Sequence, residues 1–254
     1  MIVLAFDTAT ADTAVGLLVP GAPARTARHA PAPGDRPGHA TQLLGLARGL
    51  LVDAGLGWAD VERIGVGTGP GSFTGLRLGV ATARGLSQAG GQELVGVSTL
   101  EALARGAVTA LGSSESPGPL PASGTPAAPA VDPPVLACDP PAVLACLDAR
   151  RGEAFVAAWR DGAPLVAPRA AAPDDLATLV AIARGPWWAV GDGSVRFRAQ
   201  LRAAGAHVWP DDSAVHHVDG ARLCELALEG SPAPRDTLEP EYLRAPDAVP
   251  KHLR

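Results

Sequence analysis

Hydrophobic residues at the start of the chain form two short runs separated by a polar stretch. The segments IVLAFDTAT and TAVGLLV each read as a buried strand, and the polar residues 10–12 read as a tight turn between them. A weaker third strand is predicted at residues 24–30, before the breaker-rich stretch APAPGDRPG. The chain is therefore expected to open with a β-hairpin.

From residue 39 the apolar spacing becomes helical and ends at Gly55 and Gly57. Beyond them, ERIGVGTG predicts a strand and SFTGLRLGVATARGLSQAG predicts a helix. ELVGVS then predicts a strand and STLEALARGAVTAL another helix. Ser98 and Glu101 are predicted to form a capping box at the start of that last helix. Strands alternating with helices after an opening hairpin predict a mixed sheet covered by helices, which is an α/β fold. The apolar positions of the first helix are Leu43, Leu44, Ala47, Leu50, Leu51 and Ala54.

A Pro-, Ser-, Gly- and Ala-rich segment at residues 112–134 divides the chain and is predicted to be a linker. It separates an N-terminal subdomain, residues 1–111, from a C-terminal one, residues 135–254. In the second part, AVLACLDARRGEAFVAAWRDG predicts a hairpin, PDDLATLVAIARG a helix and WWAVGDG a strand that leads into a turn. Residues 194–204 and 218–228 are predicted to be helical.

Composition and charge exclude several classes of protein. The 254 residues are 47% hydrophobic, which is ample for a core, and the formal charge of −5 argues against a nucleic-acid-binding surface of the chain's own. An odd number of cysteines without CxxC spacing favours neither a disulfide framework nor a zinc site, and so favours the reducing cytoplasm. The N-terminus lacks a basic leader, and no apolar run reaches about 18 residues. Neither export nor a membrane span is therefore expected. The cysteines are Cys138, Cys146 and Cys224.

The glycine-rich segment GTGPGSFTGLRLGVATARGL, residues 67–86, raises the question of a phosphate site. Glycine turns that open into a helix often bind phosphate through free backbone N–H groups. The Gly-Lys-Ser/Thr ending of a P-loop is absent, however, and a proline stands where a free N–H would be wanted. A structural strand-to-helix turn is therefore favoured over a phosphate site.

Small residues recur every four positions in the helix that follows this turn. Gly75, Gly79 and Ala83 leave one stripe of the helix almost without side-chain bulk. Another element could approach that stripe closely, which would compensate for the low helix propensity of glycine. The spacing leaves open whether this element lies in the same chain or in another subunit.

Candidate catalytic and metal-binding groups are few. Asp7 and Thr8 end the first predicted strand, where an aspartate could hold magnesium on a nucleotide phosphate, although a turn-forming Asp/Thr cluster is favoured. His39 has no second ligand one helical turn away, and His216 and His217 are adjacent, so they cannot both face one ion. No serine or cysteine stands in the context of a catalytic triad.

Six motifs occur in order from residue 4 to residue 244, namely LAFDTAT, GTGPGSFTGLRLGVATARGL, VGVSTLEALA, LDARRGEAFVAAW, VGDG and PEYLR. Together they resemble those of the TsaB (YeaZ) family. The resemblance implies an actin-like (ASKHA) fold of two related α/β subdomains and a cytoplasmic, non-catalytic dimerisation subunit. Its partner TsaD makes N6-threonylcarbamoyladenosine at position 37 of tRNAs that read codons beginning with A, and the ATPase TsaE docks on the pair. The resemblance further implies a homodimer in isolation and contact with tRNA only through the complex.

One departure from the catalytic paralogue bears on activity. That paralogue has a metal-binding His-x-x-x-His in the segment that matches VGVSTLEALA, where this chain has Thr99 and Leu103. Two imidazole ligands are thus missing, and the resemblance implies no catalytic residue, no metal and no resident cofactor. Whether ATP or ADP binds at the boundary with partners is left open. The alternatives are a glycoprotease-like hydrolase, an ATPase that uses Asp7, and a nucleotide-sensing regulator.

The resemblance also implies that the first two helices form the partner interface. Apolar residues of both helices would form its core, and Arg48, Arg77 and Arg84 would flank that core. The predicted core residues are Leu43, Leu44, Ala47 and Leu50 of the first helix and Phe73, Leu76, Gly79, Val80 and Ala83 of the second.

Overall fold

The computed structural model of the chain describes residues 1–32, 34–112 and 139–244. All of the predicted linker except Gly112 lies outside these residues, as does Cys138. The division into residues 1–111 and 135–254 therefore stays a prediction.

The first half of the chain forms a five-stranded mixed sheet in the order β3-β2-β1-β4-β5. Strands β1 to β3 are antiparallel, which confirms the opening hairpin and the third strand, while β4 and β5 run parallel to β1. Helices α1 (His39–Asp53) and α2 (Phe73–Gly90) cover one face of this sheet. The strands are β1 (Val3–Asp7), β2 (Thr13–Leu18), β3 (Arg25–His29), β4 (Arg63–Gly69) and β5 (Glu93–Ser98).

The second half forms another five-stranded sheet, and its order, β10-β9-β6-β7-β8, repeats that of the first. An antiparallel meander again precedes two parallel strands. Sequence analysis missed β8 and β10, and the helix predicted at residues 194–204 is in fact two short helices, α5 and α6. The elements are β6 (Ala142–Arg150), β7 (Glu153–Arg160), β8 (Ala163–Ala171), α4 (Asp175–Val180), β9 (Trp187–Val190), α5 (Asp192–Arg196), α6 (Arg198–Ala203) and β10 (Ala206–Val208).

Two helices lie between the sheets and cross from one half of the chain to the other. Helix α3 (Thr99–Leu111) follows the first sheet but packs on β6 and β7, whereas α7 (Gly220–Glu229) packs on β1, β2 and β4. A Cβ atom at Gly16 of β2 would lie 2.0 Å from the carbonyl oxygen of Gly220, so this contact requires glycine. The molecule is therefore layered as helices, sheet, helices, sheet, helices.

Strand alternation divides the core into three clusters of buried side chains. In β1, Val3 and Ala5 belong to the cluster around α3 and α7, which we call the middle core. Leu4 and Phe6 face α1 and α2. The third cluster lies under the outer helices of the second sheet. Both faces of each sheet are thus buried, which explains why the central strands read as continuous apolar runs.

Candidate partner interface

Helices α1 and α2 begin at the same end of the first sheet, where the parallel strands β1 and β4 end. The Oγ atom of Ser72 accepts the N–H of Gly75 at 3.3 Å and caps α2, and Gly91, with φ of 78°, ends it. At α3 the predicted capping box forms only in part. Ser98 Oγ accepts the N–H of Glu101 at 3.4 Å, but the Glu101 carboxylate pairs with Arg105.

Most of the residues predicted for the partner interface are buried within the chain itself. The apolar stripes of α1 and α2 pack on this chain's own sheet, so these side chains offer no free surface and the sequence-based assignment is corrected for them. The exposed or partly exposed members, Leu44, Phe73, Arg77 and Arg84, stay predicted interface residues. The buried ones are Leu43, Ala47, Leu50, Leu76, Gly79, Val80 and Ala83.

The element that approaches the small-residue stripe of α2 is the turn after β1. A Cβ atom at Gly75 would lie 1.9 Å from the carbonyl oxygen of Thr8, and one at Gly79 would lie 2.5 Å from Thr8 Oγ1. Thr8 Oγ1 also donates to the carbonyl oxygen of Gly75 at 2.8 Å. The close contact left open by the spacing is therefore intramolecular.

Asp7 is sealed inside the protein. One carboxylate oxygen accepts the N–H of Ala9 at 2.7 Å, and the other accepts the hydroxyl of Thr99 at 2.7 Å. Burial raises the pKa of Asp7 against the lowering effect of these hydrogen bonds. A Cβ atom at Gly67 would lie 1.9 Å from Asp7 Oδ2, so the β4 glycine makes room for the carboxylate. Leu103, which the resemblance predicts to replace a metal-binding histidine together with Thr99, lies in the middle core.

A cleft of about 330 Å³ lies between the two sheets at the ends of their central strands. Thr10 lines one side and Asp148 the other, while Asp7 does not contribute. Asp148 repeats the turn seen at Asp7, because its carboxylate accepts the N–H of Arg150 at 2.9 Å. The side chain that pairs with this carboxylate differs from that at Asp7, however. Arg196 donates to both oxygens of Asp148 at 2.7 Å, where Asp7 has the hydroxyl of Thr99.

The histidines singled out in the sequence have separate protein partners. His39 Nδ1 lies 2.8 Å from Thr13 Oγ1, and burial lowers the pKa of His39. His216 contacts Ser194 and the carbonyl oxygen of Pro210, whereas His217 Nδ1 lies 2.7 Å from Asp12 Oδ2. Within the described ranges no three His, Cys, Asp or Glu side chains are grouped to hold a metal ion. In the same residues, no helix has the length and apolarity to cross a membrane.

The outward face of α1 and α2 combines exposed apolar side chains with open glycines. Leu44 and Phe73 are 49% and 37% exposed, and Val52 is 63% exposed. We call this surface the outward face; its members are Thr41, Leu44, Gly45, Arg48, Gly49 and Val52 of α1 and Phe73, Arg77, Ala81 and Gly85 of α2.

Three glycines of the outward face are not closely packed against any other of the described residues. A Cβ atom at Gly45, Gly49 or Gly85 would have no neighbour within 4 Å. Each interior glycine costs a helix about 1 kcal/mol relative to alanine, and nothing in the described part of the chain offsets this cost. Sequence analysis missed these positions, although Gly45 and Gly49 stand four residues apart in a predicted helix.

Comparison with known proteins identifies relatives along nearly the whole chain. The family model described as TsaD, tRNA N6-adenosine threonylcarbamoyltransferase, matches residues 36–124. The chain is 26% identical over 263 aligned residues to the tRNA threonylcarbamoyladenosine biosynthesis protein TsaB of Escherichia coli K12, covering 96% of this chain and 95% of that protein. It is 34% identical over 104 residues to TsaB of Haemophilus influenzae, covering 41% and 42% of the two chains.

A solved structure agrees with this relationship. YeaZ from Pseudomonas aeruginosa superimposes with a TM-score of 0.67 at 24% identity, covering 95% of this chain and all of that one. At this identity the superposition shows the fold, and the expected α/β fold of two related halves is confirmed. The resemblance to the TsaB (YeaZ) family that six sequence motifs indicated is confirmed by the sequence similarity to TsaB over 96% of the chain.

Proposed function

We propose that the chain takes part in making N6-threonylcarbamoyladenosine in tRNA as a non-catalytic scaffold subunit. In this proposal it binds a TsaD-type catalytic subunit through the outward face of α1 and α2. Sequence similarity to TsaB of E. coli supports the pathway. The observation that carries the scaffold role is the outward face itself, where exposed Leu44, Val52 and Phe73 stand beside open glycines.

The physical argument concerns what such a face offers. Large apolar side chains that remain exposed gain by burial at an interface, by about 25 cal/mol for each Å² removed from water. Open glycines let a second backbone come close. Glycines inside a helix lower its stability, and exposed apolar side chains lower solubility. A partner that covers this face would offset both effects.

The arrangement around Thr99 and Leu103 supports a non-catalytic role. Thr99 is fully buried, and its hydroxyl donates a hydrogen bond to the Asp7 carboxylate. Leu103 is 1% exposed in the middle core. At both positions the side chain serves packing and internal hydrogen bonding, and Asp7 is enclosed with them.

The remaining parts of the proposal follow from the resemblance. In the absence of the catalytic subunit, the same face pairs two copies of this chain. An ATPase of the TsaE type docks on the assembled pair, tRNA is reached through the partners, and ATP or ADP binds only at their boundary. The proposed location is the cytoplasm.

The test is a binding titration of the purified chain with the TsaD-type subunit of the same organism, by light scattering and calorimetry. We expect a stable complex with the natural chain and none with Gly45→Arg or Gly85→Arg, because a long side chain would stand where the partner backbone approaches. Gly106→Arg is the matched control, since a Cβ atom at this α3 glycine also has no neighbour within 4 Å and lies off the outward face.

A cellular measurement complements the titration. Deletion of the gene should remove N6-threonylcarbamoyladenosine from tRNA, and a plasmid carrying Gly106→Arg should restore it where Gly45→Arg does not. Undiminished modification after deletion would overturn the pathway assignment. Equal binding by Gly45→Arg and Gly106→Arg would overturn the proposed interface.

A further inference from the structure

The exposed end of α2 carries a cluster of two aromatic rings and one arginine that is completed by the other end of the chain. The ring of Phe73 lies 5.2 Å from that of Tyr242, centroid to centroid. Phe73 is 37% exposed and Tyr242 is 41% exposed. Their outer surfaces therefore remain free for contact at the edge of the outward face.

Arg77 is held in place by the ring of Phe73 and the hydroxyl of Tyr242. Its guanidinium carbon lies 3.8 Å from the centroid of the Phe73 ring, and its Nε donates to Tyr242 Oη at 3.1 Å. An exposed arginine ordinarily loses many rotamers when it binds a partner, and this loss weakens binding. Here the cation–π contact and the hydrogen bond have already restricted the side chain.

Residues 240–244, which we call the C-terminal strap, fix the position of Tyr242. The backbone N–H of Glu241 donates to the carbonyl oxygen of Thr68 at 2.7 Å. Leu243 packs against the middle core, and Arg244 Nη1 donates to Glu153 of the second sheet at 2.9 Å. Tyr242 thus lies between anchored neighbours, so the strap presents its ring to α2 in one position.

The charges of this face indicate which partner fits it. Arg48 and Arg77 are exposed, and no carboxylate of the described residues pairs with either, whereas Arg84 lies 3.6 Å from Asp236. The acidic residue of these two helices is Asp53, at the far end of α1. Two copies of the face related by a twofold axis would bring arginines together, while an acidic partner would pair them.

We propose that Phe73, Arg77 and Tyr242 form a preformed anchor that binds an aspartate or glutamate side chain of the TsaD-type subunit. The rings cover apolar surface of the partner, and the free guanidinium N–H groups of Arg77 bind its carboxylate. The anchor favours the acidic partner over a second copy of this chain. This inference rests on the proposed function and adds to it the C-terminal strap, the charge of the partner and the basis of selectivity.

The test compares Arg77→Gln and Tyr242→Phe with the natural chain in titrations with the TsaD-type subunit at low and high salt. Arg77→Gln should weaken the complex about tenfold and reduce its dependence on salt. Tyr242→Phe, which keeps the ring and removes the hydrogen-bond acceptor of Arg77, should weaken it about threefold. Self-association of Arg77→Gln should be stronger than that of the natural chain, because a like charge has been removed.

Arg202→Gln is the control, since Arg202 is an exposed arginine of α6 in the other half, and it should bind like the natural chain. If Gly45→Arg abolishes binding but Arg77→Gln leaves the affinity and salt dependence unchanged, the anchor is overturned and the proposed function stands. If Arg77→Gln weakens self-association as much as the mixed complex, the selectivity is overturned. A natural chain that ignores the TsaD-type subunit would overturn both proposals.

Discussion

The two halves of the molecule share one strand order but differ in the helices that cover it. In the first half, α1 and α2 have 15 and 18 residues and expose a face that carries Arg48 and Arg77. In the second half, α4, α5 and α6 have 6, 5 and 6 residues. The same strand order thus carries long helices with an exposed face in one half and short helices in the other. Strand order alone therefore does not determine which surface is available to a partner.

Asp7, at the end of β1, and Asp148, near the end of β6, also differ between the two halves. Asp7 and Asp148 both accept the N–H of the residue two positions on. Asp7 is then closed off by the buried hydroxyl of Thr99, while Asp148 lines the cleft and pairs with the 45% exposed side chain of Arg196. One turn is therefore part of a core and the other part of a surface.

The largest expected effect comes from filling the contact between α2 and the turn after β1. Gly75→Ala would place a methyl group 1.9 Å from the carbonyl oxygen of Thr8, and the backbone would have to move. We expect the free energy of unfolding to fall by about 3 kcal/mol. Urea unfolding followed by circular dichroism measures it. A loss below that of an ordinary surface substitution would show that this contact is loose.

A smaller effect distinguishes the two aspartates. Thr99→Val removes the buried donor to Asp7 and should cost about 2 kcal/mol. Arg196→Met removes the partly exposed partner of Asp148 and should cost less than about 1 kcal/mol. Thermal unfolding of both variants under the same conditions gives the comparison. Equal losses would remove the distinction between the sealed turn and the open one.

The pH dependence of stability tests the sealing of Asp7 directly. Because burial raises the pKa of Asp7, the folded chain holds this proton more tightly than the unfolded chain. The contribution of Asp7 to the free energy of unfolding is therefore greatest below the ordinary aspartate pKa of about 4, and it falls as the pH rises through the raised value. Asp7→Asn should flatten this part of the profile, as measured by urea unfolding across the acidic range. A profile that matches the natural chain would show that Asp7 does not titrate there.

The smallest expected effect is a gain. Gly85→Ala lies on the same helix as Gly75 but has no neighbour within 4 Å, so the methyl group should raise the free energy of unfolding by up to about 1 kcal/mol. Thermal unfolding measures it beside Gly75→Ala. A loss of stability would mean that the outward side of α2 is not open in the isolated chain.

The sequence was sufficient to predict most of the first half and the central hairpin of the second. Apolar runs of strand length and helical spacing predicted β1, β2, β4, β5, α1 and α2, because these elements bury apolar side chains in the core. Strand β8 contains Pro164 and Pro168, which read as breakers, and β10 has three residues. Edge strands of this kind depend on their neighbours in the sheet and leave little periodic signal.

The interface residues were harder to assign for a different reason. Spacing finds apolar and small stripes but cannot tell which stripe meets the chain's own sheet. Gly75 and Gly79 contact Thr8, which is more than sixty residues away in sequence, and only the fold reveals this contact. The buried leucines of α1 give a stronger periodic pattern than Gly45 and Gly49, so the sequence does not single out these glycines. The structure does, because a Cβ atom at either position would have no neighbour within 4 Å.

The crossing of α7 has a consequence for how the chain is made. On the ribosome, β1 to β5 emerge long before Gly220–Glu229, the helix that covers the inner face of their sheet. Arg63 at the start of β4 also lacks three of its hydrogen-bond acceptors until this part of the chain is made. Its guanidinium donates to the carbonyl oxygens of Ala227, Leu228 and Gly230 at 3.0, 3.0 and 3.2 Å. The nascent first half therefore exposes apolar surface for most of translation, and this is the interval in which a chaperone would bind it.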